Sequence, residues 1–177
     1  KAKSAVRVID LSQPIFQGMS VFPGDPEVEI QVSGSPAAAT GLIRRISLGS
    51  HTGTHVDAFS HMHPQGTNLD DIPLERYFGP ARVVRPGRSL PRGVGLIYLD
   101  APAGEHLEEI AACGPPFVAG DLPPDLERAL LGRDILTYTN LTNLEMLPEE
   151  TEFTFYGLPL PIAGGDGSPV RAIAIIP

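Results

Sequence analysis

Glycine and proline each occur 19 times in this 177-residue chain. Such a density of turn formers implies many short elements and argues against a helical bundle. Trp is absent and aromatic residues make up only 6%, so a core must rest mainly on Ile, Leu, Val and Ala. The length suits one domain spanning 1–177, large enough to bury a substantial core. Residues 6–11 alternate apolar side chains before the turn at Ser12-Gln-Pro14, and 27–32 alternate charge and aliphatic residues with the two-residue period of a strand. A small-residue loop at 34–41 leads to a strand at 42–48. Further strands are expected at 80–85, 95–99, 135–138, 151–158 and 170–176, the last so apolar that a central position is expected for it. Helical spacing of Leu107, Ile110 and Ala111 predicts a helix over 105–113, stopped by Gly114-Pro-Pro116. Leu126, Leu130 and Leu131 predict a second over 124–131, ended by Gly132. The pattern reads as α/β, with more strand than helix.

Charge and composition narrow the function. A net charge of -8 disfavours nucleic acid, which needs clustered Lys and Arg. Arg82, Arg85, Arg88 and Arg92 read as a solvated patch among Gly and Pro. No apolar run approaches the ~20 residues of a membrane span, and residues 1–9 lack the apolar stretch of a signal peptide. Cys113 is the one cysteine, which rules out an intramolecular disulfide framework and a thiolate zinc site. It is expected as a small buried residue at a helix end, in a cytoplasmic protein.

Four of the five histidines fall at 51, 55, 61 and 63. Imidazole and carboxylate suit a divalent ion such as Zn or Mn. In an extended chain 51, 55, 57 and 61 share parity and project to one side, and a turn at Gly53 draws His51 back towards His55 and Asp57. The bland reading is a polar loop satisfying its own hydrogen bonds. Two histidines and an aspartate in seven residues favour metal. Asp57 either ligates or orients a histidine, His61 is placed to move protons near neutral pH, and His63 reads as a loop residue. Pro23 and Pro26 around Gly24-Asp25 mark a rigid loop, and Phe16 and Phe22 before it are candidate walls of a substrate pocket. Gly164-Gly-Asp-Gly-Ser168 lacks the lysine and context of a phosphate loop. Asp166 there is assigned to a turn or to another subunit's site, and Ser168 to a turn.

The string His51-Thr-Gly-Thr-His55-Val-Asp57-Ala-Phe-Ser-His61 resembles the HxGTHxDxPxH motif of the cyclase family, which includes bacterial kynurenine formamidase and isatin hydrolase. Asp10-Leu-Ser-Gln-Pro14, Phe22-Pro-Gly-Asp25, Gly66-Thr-Asn-Leu-Asp-Asp-Ile-Pro73 and Gly164-Gly-Asp-Gly-Ser-Pro-Val-Arg-Ala172 extend the resemblance over most of the chain. It implies a swivelling β/β/α fold, a homo-oligomer (dimer or tetramer), and metal-dependent hydrolysis of a small amide, formamide or lactam. His51, His55 and Asp57 would then be ligands and His61 the proton-transferring residue. Three departures stand out. Matching Leu130-Leu-Gly132 and Asn140-Leu141 puts Glu127 where the formamidases carry a histidine, and Thr139 where they carry a glutamate. That leaves a second metal in doubt, with Glu127 either an oxygen ligand or an exposed helix residue. Phe59 replaces the usual proline and alters the pocket wall. The stretch 98–120 is shorter than in the formamidases. The alternatives are a member that binds metal or ligand without turnover, and a ring-closing or dehydrating cyclase.

Overall fold

In a computed structural model, which describes residues 6–34 and 41–177, the chain forms eleven strands and two α-helices among those residues. The strands are β1 (Arg7–Asp10), β2 (Glu29–Val32), β3 (Arg44–Ser47), β4 (His55–Asp57), β5 (Phe78–Val84), β6 (Gly95–Tyr98), β7 (Phe117–Ala119), β8 (Leu136–Thr139), β9 (Phe153–Tyr156), β10 (Gly167–Pro169) and β11 (Ile173–Ile176). The helices are α1 (Leu107–Cys113) and α2 (Pro124–Leu131). Nine strands make one sheet in the order β1-β11-β9-β5-β6-β7-β8-β4-β10, while β2 and β3 pair separately. The expected 34–41 loop falls outside the described residues over 35–40.

Strands β5, β6, β7 and β8 run parallel, and α1 and α2 supply the crossovers β6 to β7 and β7 to β8. A parallel sheet of this kind is covered on both faces, and the burial pattern agrees. Leu96, Tyr98 and Val118 join Ile110, Leu122, Leu126 and Leu130 in a core beneath the helices. Ile97, Phe117 and Ala119, one step away in the two-residue period, face the opposite core with Tyr138, Phe155 and Ile9. Pro124 opens α2 at a position where no intrahelical donor is lost. Gly114, with φ of +63°, ends α1 in the left-handed conformation. Leu130 is fully buried, so Leu130→Ala should cost ~2–5 kcal/mol of stability, read as a lower denaturant midpoint at unchanged slope. A cost below 1 kcal/mol would show that α2 is not packed as described.

Both helices and the eight expected strands appear, within a few residues of the expected ends. Four points need correction. Strand β11 is not central: it lies second from one edge, between β1 and β9. Its Ala174 enters the core, but Ile173, Ile175 and Ile176 are only half-buried, so a run of apolar residues marked pairing on both sides and not depth. Ser168 is no turn residue. It is buried in β10 opposite Val56 of β4. Strand β7 went unnoticed because only three residues separate Pro116 from Gly120. Cys113 does end α1, half-buried and not fully so.

Candidate metal centre

Strand β4 builds the site by alternation. Val56 points into the core, fully buried, which sends His55 and Asp57 to the other face. Across the ladder, Thr139 pairs with His55 and Thr137 with Asp57, so both hydroxyls share that face while Tyr138 joins Val56 in the core. On the other side Gly167 pairs with Asp57. His51 arrives by a different route. Gly53 takes φ of +61°, a value that suits glycine, and folds His51 back over the strand. The absence of a side chain at 167 makes room for it, because a Cβ there would collide with the His51 ring and the Val56 carbonyl. The 3-10 turn Phe59–His61 brings His61 beside His51, with ring centroids 3.9 Å apart.

Among the described residues, two groups of three have donor atoms within 4.8 Å of one another: His51, His55 and Asp57, and His51, His61 and Asp166. Asp57 is 1% exposed. His51 Nδ1 lies 2.7 Å from Asp57 Oδ1, and its Nε2 lies 2.9 Å from Asp166 Oδ2. Burial opposes a charge on His51, but the hydrogen bond to Asp57 and the carboxylates of Asp57 and Asp166 overcome it and lift the ring to about 9. His55 behaves oppositely: burial pushes it below its ordinary value. The neutral ring donates from Nδ1 to the Gly53 carbonyl over 2.7 Å, which leaves the Nε2 lone pair facing Asp57 Oδ1 at 3.5 Å and Thr139 Oγ1 at 2.9 Å. A histidine whose far nitrogen is held by a carbonyl is the usual form of a metal-ligating one.

Glu127 turns inwards from α2. The Thr137 hydroxyl lies 3.0 Å from Asp57 Oδ2 and 3.2 Å from Glu127 Oε1. Burial, and then the charge of Asp57, push the Glu127 carboxyl up to about 8. Asp57 itself is held below the usual carboxylate range: burial opposes this, and His51 and His55 outweigh it. Asp166 is held at about 2 in the same way, by His51, His61 and Ser50 against burial. The donor set fits a divalent cation. Two imidazoles and a buried carboxylate converge, and a lone pair and an anionic oxygen are aimed at the same space.

Each expected residue can now be located. His51, His55 and Asp57 lie together, His61 adjoins them, and Glu127 reaches Asp57 instead of solvent. His63 is outside the cluster, its Nε2 2.7 Å from the Arg128 carbonyl. Phe59 is 5% exposed, in the core beneath the Arg76 guanidinium. Phe16 and Phe22 are 55% and 74% exposed, on a stretch fastened to the histidine loop where the Gln13 N–H donates to Thr54 Oγ1. Ser50 and Thr137 carry no signal in the sequence. Asp166 belongs to this chain's own site and not to a turn alone. The one signal for it was the acidic residue within the glycine-rich C-terminal motif.

The chain matches the family profile described as "Putative cyclase" over residues 9–106. It is similar to the kynurenine formamidase of Salinibacter ruber, 30% identical over 94% of this chain and 96% of that one. The kynurenine formamidase of Paracidovorax citrulli is 28% identical over 95% and 96%. The fold is that of isatin hydrolase A from Labrenzia aggregata, solved with benzyl benzoate: a TM-score of 0.83 at 21% identity, covering 97% of this chain and 94% of that one. A match over more than half the chain to the profile, and a near full-length relative at 30% identity, lead to one statement: this chain belongs to the cyclase family.

Proposed function

We propose that this protein hydrolyses a small amide, formamide or lactam with the help of one divalent cation, Zn or Mn, held by His51, His55 and Asp57. The observation that carries the reading is the convergence of those three donors on the buried face of β4, and the kinship with kynurenine formamidases supports the reaction class. When bound, such a cation polarises a substrate carbonyl and makes water acidic enough to attack it near neutral pH. The chain's own residues do the rest. His55, neutral and fixed by the Gly53 carbonyl, keeps one nitrogen lone pair available. Asp57 supplies the negative charge. His61 takes the proton from the attacking water as the C–O bond forms, and delivers it to the nitrogen as the C–N bond breaks, releasing carboxylic acid and amine.

One ion is favoured over two. Glu127 stands behind Asp57 as a hydrogen-bonding partner, and among the described residues no third donor joins that pair in a metal-sized group. Thr139, hydroxyl-bearing and neutral, is a weak ligand. Phe16 and Phe22 are the proposed apolar contacts of the substrate; Phe59, expected at the pocket wall, is packed in the core and is not one. The exposed Val32 and Ile46 of the β2–β3 hairpin support a homo-oligomer, dimer or tetramer, and the single Cys113 suits a reducing, cytoplasmic setting. No described helix is long and apolar enough to cross a membrane.

Dialysis against Zn or Mn followed by elemental analysis should give one ion per chain, and the loaded protein should hydrolyse an N-formyl aromatic amine or isatin. A folded sample that retains no ion at neutral pH would overturn the site. One retained ion with no hydrolysis of either substrate would favour a family member that binds without turnover.

A further inference from the structure

Asp166 is not a ligand in the proposed site, yet its side chain meets three others there. Its Oδ2 lies 2.9 Å from His51 Nε2 and 3.3 Å from His61 Nδ1. Its Oδ1 accepts the Ser50 hydroxyl at 3.1 Å. The backbone is pinned too: the Ala58 N–H donates to the Asp166 carbonyl at 2.9 Å, and the next residue, Gly167, pairs with Asp57. A carboxylate oxygen carries two lone pairs and can accept from two donors at once. The two rings that share this oxygen lie close together, with centroids 3.9 Å apart.

Resting on the reading above, we infer that Asp166 is the positioning residue of the site: its Oδ2 holds both His51 Nε2–H and His61 Nδ1–H, turning His51 Nδ1 to the cation and His61 Nε2 to the substrate. The competing arrangement puts the cation on the second donor group, His51, His61 and Asp166. Both groups cannot be filled together, because a neutral imidazole offers one lone pair and not two. Asp57 decides between them. It is almost fully buried, whereas the Asp166 side chain is 47% exposed, and a buried carboxylate gains far more from a cation than one that water already solvates. His61 is then free of the cation and locked in the tautomer that proton transfer needs.

The test compares Asp166→Asn with the wild type, both zinc-loaded and labelled with nitrogen-15. The imidazole N–H signals of His51 (Nε2) and His61 (Nδ1) should shift or vanish in the variant. That of His55, held on the Gly53 carbonyl, should stay and serves as an internal control. Zinc affinity should fall about 10–100-fold, as for loss of an outer partner of a ligand, and kcat should fall with KM little changed. Unchanged signals and affinity in the variant, with a loaded and active wild type, would overturn the role of Asp166 alone. A wild type that binds no zinc would overturn the underlying reading, and this inference with it. Should Asp166→Asn not fold, Ser50→Ala loosens the same carboxylate through Oδ1. A shift of the same two signals supports the assignment, and their constancy overturns it.

Discussion

His61→Ala should lower kcat by ~10²–10⁴-fold while the purified protein keeps the same ion content as the wild type. The two halves of this expectation come from different observations. The activity loss follows from His61 being the one imidazole near the donor group that is not in it. Half-buried at the end of a 3-10 turn, it has its ring against His51. The retained ion follows from the three ligands being held by other contacts: Asp166 for His51, the Gly53 carbonyl for His55, and the Thr137 hydroxyl and the pairing of β4 with β8 and β10 for Asp57. Removing the His61 ring breaks none of those. Turnover at the wild-type rate would remove His61 from the reaction. Loss of the ion together with activity would instead make His61 a ligand, and the donor group of His51, His61 and Asp166 the true site.

How much of this was legible beforehand depends on sequence distance. The strands that alternate, such as 27–32, and the helix with Leu126, Leu130 and Leu131 on one face, announce themselves, because two-residue and 3.6-residue periods are local facts. The clustering of His51, His55 and Asp57 within seven residues is local as well. Pairing is not local. Nothing near Asp57 reveals that Gly167 lies opposite it, so local pattern assigns Asp166 to a turn or another subunit and Ser168 to a turn. The same blindness made β11 look central: its apolar residues record two neighbouring strands, whereas depth depends on what covers the sheet. Glu127 sits between these cases. Its place in the family pattern brought it to notice, but only α2 lying over β8 decides that its carboxyl meets Thr137 and Asp57 instead of water.

Asp57→Asn should have the largest effect of any substitution at the site. Ion affinity should fall by well over the ~10–100-fold that loss of an outer partner costs, and hydrolysis should fall with it. The amide matches the carboxylate in shape, so packing against Val56 and the ladder to Thr137 and Gly167 should survive. What is lost is charge. Asp57 Oδ1 is where His51 Nδ1, at 2.7 Å, and His55 Nε2, at 3.5 Å, converge, and a neutral amide leaves two imidazoles with no anionic ligand to share a cation. The consequence for stability separates this account from simple misfolding. An ion that binds only the folded chain raises stability by RT ln(1 + [L]/Kd), about 2.7 kcal/mol when its concentration is a hundred times Kd. Wild-type protein stripped of ions should therefore melt at a higher temperature when Zn is added, and Asp57→Asn should not. Without Zn the variant should melt below the stripped wild type, because the buried pairing of Asp57 with His51 is lost, and relief of the Glu127 carboxyl, which that charge helps push up to about 8, offsets only part of the loss. A variant with no cooperative melt at all would assign Asp57 to the fold. One that kept the Zn-dependent rise would show the cation held elsewhere.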